Sequence, residues 1–133
     1  MHVAFVPDPV MRGLNERFRG IDRTTDVLSF GEAIPADAAG EAAVPVIERR
    51  RRLNAGRFEL GEIVISGEVA ARQARRRRWP IASEVAFLAA HGALHLLGFE
   101  DETQAGYRRM LALGRAAVAQ ARRTARKRPV ISR

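Results

Sequence analysis

Two of the chain's three histidines, His91 and His95, lie four residues apart in the segment HGALHLLGFEDE. On an α-helix, residues with this spacing project from the same face, one turn apart. Two imidazoles in that arrangement can chelate one divalent ion. Gly98 stands where such a helix would end. The chain could then turn back and bring Asp101 beside the two histidines, so the spacing predicts Asp101 as a third ligand.

Three alternatives bear on this interpretation. Histidines on an apolar helix are often satisfied core residues, and the pair alone does not exclude that role. Glu100 and Glu102 are rival ligands, in a less suitable register than Asp101. A zincin peptidase would carry Glu directly after the first histidine as its general base, but this chain has Gly92 there. A glycine at that place would let another segment approach the helix closely.

The composition limits which atoms could bind a metal and indicates the kind of partner. The chain has no cysteine, so nitrogen and oxygen must hold any metal. It has 23 Lys and Arg against 15 Asp and Glu, a formal net charge of +8, and no acid follows Glu102. Arginine runs lie at 49–52 and 75–78. This pattern favours a polyanionic partner such as RNA or DNA, although a solvated arginine-rich surface would look the same.

The elements that position these residues follow from the apolar pattern. HVAFVPD, TDVLSF and LGEIVIS are typical of strands, the last being suited to a buried position. Residues 31–56 are predicted to form a long loop or mobile hairpin. Asp8 is predicted to cap the first helix, and Ser66 or Gly67 to start the second. The predicted helices cover residues 9–18, 67–78, 81–97 and 103–121, the last with Met110, Leu111, Leu113 and Val118 as apolar contacts.

This order of elements predicts an α+β fold, a small mixed β-sheet with helices packed on it and a central metal-bearing helix. The length of 133 residues suits a single domain, which we place at residues 1–121, followed by a basic, disordered tail at 122–133. No stretch is apolar enough for a membrane span, and the N-terminus does not resemble a signal peptide. We therefore expect a cytoplasmic protein with no membrane partner.

Three blocks of the sequence resemble those of one family. HGALHLLGFEDE resembles the HGxLHLxGYDH signature of the YbeY family of bacterial endoribonucleases. LNERFRGIDRTTDVLSF and LGEIVIS resemble that family's LN, YR, TDVLSFP and GDIVIS segments, in the same order. The resemblance spans about residues 3–113. It implies a metal-dependent, single-strand-specific endoribonuclease of rRNA maturation and ribosome quality control, with one Zn²⁺ or another divalent ion.

The resemblance also implies partners and a catalytic cation. The partners are rRNA and the small ribosomal subunit, with ribosomal and GTPase assembly proteins as further candidates. Arg19 would be the cation that stabilises charge on the phosphate. Without the resemblance, Arg19 reads as a basic residue at a helix C-terminus, favoured by the helix dipole. Thr25 and Asp26 could line the cleft or only set a turn, and Glu84 could support the metal site or serve the helix start.

Two features depart from the family pattern. Members carry a histidine as the third ligand, where this chain has Asp101, and they usually carry another strand and helix before the segment that matches HVAFVPD. A carboxylate oxygen binds Zn²⁺ at about the same distance as an imidazole, so Asp101 can substitute. Its charge would make the site less electrophilic than three neutral histidines.

These departures keep other functions open. A non-catalytic RNA-binding ribosome-assembly factor could retain the fold while its metal site has weakened. A metal-dependent hydrolase of small substrates would fit the ligand set, but it would have no use for the arginine runs. Metal content and competition between RNA and small phosphoesters would distinguish the three.

Overall fold

The computed structural model describes residues 1–31, 34, 39–53 and 59–127. The sheet has three strands in the order β1-β3-β2, with β1 parallel and β2 antiparallel to the central strand β3. The α+β class and the mixed sheet are therefore as predicted. The strands are β1 His2–Val6, β2 Val27–Phe30 and β3 Glu62–Ser66, and the helices are α1 Asp8–Arg19, α2 Ala43–Leu53, α3 Gly67–Arg77, α4 Ile81–Leu96 and α5 Gln104–Lys127.

The central strand β3 separates two apolar layers because its side chains alternate between the two faces of the sheet. Ile63 and Ile65 are fully buried on one face, where Phe87 and Leu88 of α4 pack with them. Val64 points to the other face, toward Leu28 of β2 and helix α1. Burial on both faces explains the nearly continuous apolar run of LGEIVIS. Helix α4 is thereby fixed on the sheet, as predicted for the central helix.

The start of α3 is also as predicted. The Ser66 hydroxyl accepts a hydrogen bond from the backbone N–H of Val69 at 3.2 Å, which is the interaction of an N-cap residue. Three of the four apolar contacts predicted for the last helix also form, because Met110 and Val118 are buried and Leu111 packs against the core, whereas Leu113 is half-buried and outside both core clusters. None of the helices in the described ranges is long and apolar enough to cross a lipid bilayer.

The prediction that Asp8 caps α1 is wrong. Pro7 occupies the cap position and Asp8 is the first helical residue. The Asp8 carboxylate instead accepts hydrogen bonds from the hydroxyls of Ser66 and Thr24, the latter at 3.3 Å, and from the guanidinium of Arg72 at 3.4 Å. The Ser66 hydrogen bond and the Arg72 charge hold the pKa of Asp8 below its ordinary value. Asp8 thus joins α1 to β3 and α3.

The predicted loop or hairpin at 31–56 is also wrong where the structure describes it. A 3₁₀ turn at Gly40–Ala42 leads into helix α2, while residues 32, 33, 35–38 and 54–58 lie outside the described part. Helix α4 ends at Leu96 rather than residue 97. Helix α5 continues past residue 121 to Lys127, so 122–127 are helical, and residues 128–133 lie outside the described part.

Candidate metal centre

Three side chains converge at the C-terminal end of α4. The Nε2 atoms of His91 and His95 lie 3.1 Å apart. The Asp101 Oδ2 atom lies 3.6 Å from His91 Nε2 and 3.5 Å from His95 Nε2. Among the described residues, these three form a group that could hold a metal ion, and the exposed Glu100 and Glu102 are outside it. The structure therefore brings together the three residues that the spacing selected.

The spacing of the three atoms fits a tetrahedral ion. Ligand atoms about 2.0–2.1 Å from a tetrahedral metal stand about 3.3–3.4 Å from one another. The observed separations of 3.1, 3.5 and 3.6 Å surround that value. The two carboxylate-imidazole distances are too long for hydrogen bonds. The 3.1 Å contact between the two imidazoles is within hydrogen-bond range, so a proton or a divalent ion can join them, but only an ion would also engage Asp101.

Each imidazole is held so that Nε2 faces the group. His95 Nδ1 lies 3.1 Å from the carbonyl oxygen of Phe99, which can accept its N–H and leave the Nε2 lone pair free. The His91 ring stacks on Phe87, with centroids 6.3 Å apart. Burial lowers the pKa of His91 below its ordinary value, and the nearby His95 lowers it further. His91 is thus favoured as the neutral imidazole, which is the form that binds metals.

Two glycines make this arrangement possible. A Cβ at Gly92 would lie 2.8 Å from Ser29 Oγ and 3.1 Å from Ile63 Cγ2, so the sheet leaves no room for a side chain there. The Glu of the zincin peptidases could not be accommodated at this position. Gly98 has a φ of +89°, and its Cβ would lie 2.6 Å from Ala39 Cβ. This left-handed residue lets the chain turn back toward the histidines with Asp101.

A groove of about 380 Å³ opens beside the three candidate ligands. His95 is part of its lining, and so is Arg19, the last residue of α1. A cation and the candidate metal site therefore face the same space. The sequence had not singled out Ser29, whose hydroxyl donates to the carbonyl oxygen of Gly92 at 3.0 Å. The remaining lining residues are Phe18, Val27, Leu28 and Phe30.

The other residues considered from sequence have mainly structural contacts. The Asp26 carboxylate accepts from the backbone N–H of Val27 at 2.8 Å and sets the start of β2, although its charge also acts on His91. Thr25 lies outside the groove lining. Glu84 is fully buried, accepts a 2.7 Å hydrogen bond from the Trp79 indole, and pairs with Arg77 at 3.7 Å. Its contacts hold the start of α4.

Comparison with known proteins identifies close relatives. A family model described as endoribonuclease YbeY matches residues 1–122. Curated proteins of that name from Desulforamulus reducens and Acaryochloris marina are 41% and 38% identical, over 75% and 79% of this chain. The chain spans 58% and 54% of their lengths, and 69% of a 36% identical relative from Limosilactobacillus reuteri.

A solved structure shares the fold. The solution structure of a Thermotoga maritima protein matches 98% of this chain and 76% of its own, with a TM-score of 0.50 and 23% sequence identity. At that level of identity the likeness concerns the arrangement of helices and strands alone.

Proposed function

The chain belongs to the YbeY family, and from this membership we propose that it is a metal-dependent endoribonuclease that hydrolyses phosphodiester bonds of single-stranded RNA. Residues 1–121 would be its catalytic domain. By its relation to the family, it would act in the cytoplasm, in rRNA maturation and quality control of the small ribosomal subunit, with ribosomal and GTPase assembly proteins as partners. The observation that carries the proposal is the group of His91, His95 and Asp101 at tetrahedral spacing beside Arg19.

His91, His95 and Asp101 would hold the ion, and Zn²⁺ suits their nitrogen and oxygen donors. A bound divalent ion supplies Lewis acidity, which makes a coordinated water more acidic and neutralises charge on phosphoryl oxygens. The fixed spacing of His91 and His95 on α4 presents two ligands without rearrangement. Asp101 lies in the turn region after α4 rather than on the helix, and its carboxylate would complete the set of three ligands.

Arg19 supplies the charge that a phosphodiester requires from the protein. Its guanidinium is an exposed group at the edge of the groove that His95 also lines. A planar guanidinium donates two parallel hydrogen bonds to phosphate oxygens. Arg19 would bind the phosphodiester, orient it toward the ligand group and stabilise the charge that develops during hydrolysis. The exposed Phe18 beside it offers an aromatic surface to an unpaired base.

The experiment combines metal analysis with RNA hydrolysis. Protein purified without added metal should contain about one Zn²⁺ per chain and cleave a fluorescent single-stranded RNA, and a chelator should stop cleavage. Asp101→Ala should lower metal content and cut activity more than about 100-fold. Asp101→His should retain both and lower the pH midpoint of the rate profile, since a neutral ligand leaves the ion more electrophilic.

Glu100→Ala is the matched control, because this neighbouring acid is exposed and outside the ligand group. It should behave as the wild type. If Asp101→Ala keeps its metal and activity, Asp101 is not a ligand. If the wild-type protein binds RNA but carries no metal and cleaves nothing, the chain is instead a non-catalytic RNA-binding assembly factor. The aspartate in place of the family's third histidine is the observation that favours that alternative.

A further inference from the structure

A second groove, of about 310 Å³, lies at the opposite end of α4 from the ligand group. Its walls come from helix α5 and from the segment that joins α3 to α4. Three of its residues are arginines, and a fourth is the chain's only tryptophan. We call it the α5 groove, and its lining is Trp79, Arg115, Val118, Ala119, Arg122 and Arg123.

The positive charge of the α5 groove is not neutralised within the described part of the chain. Arg115, Arg122 and Arg123 are exposed, and none of them forms an ion pair with a described carboxylate. Helix α5 contains no acidic residue. The carboxylate nearest in the chain to Trp79, Glu84, is fully buried and already engaged by the indole and by Arg77. A polyanion therefore meets unopposed guanidinium groups there.

Two of these guanidinium groups are held in place by neutral partners. Arg122 donates to the Ser83 hydroxyl at 2.7 and 3.2 Å, and Arg123 donates to Gln120 Oε1 at 2.8 Å. Hydrogen bonds to neutral groups leave the positive charge intact while they restrict the side chain. Less conformational entropy is then lost when an anion binds.

The spacing along α5 distinguishes a polymer from a small anion. Arg108, Arg115 and Arg122 are seven residues apart in succession, which places them on one face of the helix. Successive members stand about 10 Å apart along the axis. A single phosphate cannot bridge that distance, whereas phosphates about three nucleotides apart on one stacked strand can. The indole of Trp79 adds a surface on which a base can stack.

We propose that the α5 groove is a second RNA-binding surface, which holds the backbone of the strand that enters the metal centre. This inference rests on the proposed function. Ser83 and His95 are separated by about 18 Å along α4, since each helical residue advances the axis by about 1.5 Å. A stacked strand covers that distance in about five nucleotides, at about 3.4 Å each. Shorter RNAs reach the metal centre without touching the α5 groove.

The test uses the full chain with Arg115→Gln and Arg123→Gln together. Both side chains are exposed, and Arg122 is left in place because it holds Ser83. The control, Arg12→Gln with Arg23→Gln, removes two exposed charges from α1 and the loop after it, outside the groove. Binding of a 20-nucleotide single-stranded RNA would be measured by fluorescence anisotropy in a chelator, across a salt series. Hydrolysis would be measured on RNAs of about four and about 20 nucleotides.

The groove variant should bind the long RNA on the order of tenfold more weakly, and the slope of log affinity against log salt should fall by about 1.4, at about 0.7 per lost contact on a single strand. The control should change neither quantity to this extent. KM for the long substrate should rise in the groove variant, while the rate on the short one stays that of the wild type. Equal losses in the groove variant and the control, or no loss in either, would overturn the proposal.

Two further outcomes separate this proposal from others. If no RNA is cleaved but the groove variant still binds more weakly than the control, the α5 groove stands and the proposed function fails. If RNA is cleaved but the groove variant behaves as the wild type, the proposed function stands and the α5 groove is not an RNA-binding surface. An acidic protein surface is the rival occupant. A poly-glutamate peptide that binds more tightly than RNA of equal charge, and loses affinity in the groove variant, would overturn RNA as the ligand.

Discussion

The two ends of helix α4 carry polar clusters that are satisfied in opposite ways. At the N-terminal end, the buried Glu84 Oε2 accepts from the Trp79 indole at 2.7 Å and pairs with Arg77 at 3.7 Å. At the C-terminal end, two imidazole nitrogens and a carboxylate oxygen face one another at 3.1–3.6 Å. The first cluster brings donors to an acceptor. The second places two imidazole nitrogens within hydrogen-bond range of each other and the Asp101 carboxylate beyond it, at 3.5 and 3.6 Å.

This difference separates a structural cluster from a ligand site on the same helix. Glu84 Oε2 finds its donors within the chain and so contributes to the fold, while the buried Oε1 has no hydrogen-bond partner among the described residues. A cation at the centre of the second group would bind both imidazoles and the carboxylate at once. Loss of the first cluster should therefore reduce stability, and loss of the second should reduce metal binding.

The largest expected effect is at the C-terminal cluster. His91→Ala and His95→Ala should each remove the ion and reduce RNA hydrolysis more than about 100-fold. The free energy of unfolding of the metal-free protein should fall less than in Glu84→Ala, because both imidazoles are only half-buried whereas Glu84 is fully buried. Elemental analysis and chelator-treated denaturant melts would measure both quantities. If either histidine variant loses stability but keeps its metal, the C-terminal cluster is structural and the division between the two clusters is wrong.

The next effect concerns the N-terminal cluster. Glu84→Ala should lower the free energy of unfolding by about 2–4 kcal/mol, because it leaves the Trp79 N–H and Arg77 without their buried acceptor and creates a cavity. Metal content per folded chain should stay that of the wild type. Glu48→Ala is the control, since Glu48 forms an exposed pair with Arg51 at 3.7 Å and should contribute little. Equal stability of the two variants would refute the structural role of Glu84.

Asp8 lies at the centre of a third polar cluster, and the stability that this cluster contributes depends on pH. Its hydrogen bonds favour the ionised carboxylate, so the pKa of Asp8 is lower in the folded chain than in the unfolded one. The resulting stability is present above the ordinary carboxyl pKa and is lost as pH falls through the lower folded value, below about pH 4. Asp8→Asn should cost about 1–2 kcal/mol at pH 7 and less at pH 3. Urea unfolding at both pH values would measure this.

Asp22→Asn is the matched control for Asp8. Asp22 also has a lowered pKa, through its 2.7 Å hydrogen bond with Arg12, but both partners are exposed. Solvent screens such pairs, so this substitution should change stability little. If Asp22→Asn lowers the free energy of unfolding at pH 7 as much as Asp8→Asn does, the network that joins α1 to α3 contributes no more to stability than an exposed ion pair.

The smallest expected effect is that of a substitution at Arg78, between α3 and α4. Arg78 ends α3 with a φ of 56°, in the left-handed region that favours glycine. Arg78→Gly should raise the free energy of unfolding by about 0.5 kcal/mol, because relief of this strain exceeds the added entropy of the unfolded chain. Arg75→Gly, in the last turn of the same helix, should lower it by about 1 kcal/mol. Thermal melts that shift downward in both variants would contradict the strain at Arg78.

Local patterns allowed much of this structure to be predicted. The apolar run of β3, the Ser66 cap and the four-residue spacing of His91 and His95 are each defined by neighbours in sequence. The contacts of Asp8 could not be predicted in this way, because Ser66 and Arg72 lie 58 and 64 residues away. Nothing local distinguishes an aspartate that caps a helix from one that joins three elements.

Helix α2 was missed for a different reason. Its sequence, AVPVIERRRRL, has a proline near its start and four consecutive arginines instead of an apolar stripe. Pro45 lies in the first turn, where proline is tolerated, and arginine and leucine are good helix formers. Ala43 at its start is buried, while Leu53 at its end is 75% exposed. Because it lacks an apolar stripe, periodicity searches do not detect this helix.

The parallel pairing of β1 with β3 has a consequence for synthesis of the chain. His2 pairs with Glu62 and Val6 with Ser66, so β1 cannot pair with β3 until sixty more residues have emerged. At a translation rate of about 5–20 residues per second, that delay lasts about 3–12 seconds. During this time the backbone groups of β1 that later bond to β3 are available to chaperones or to wrong partners. Such a long-range pairing also raises contact order, and refolding in vitro should be slower than for a helical protein of equal length.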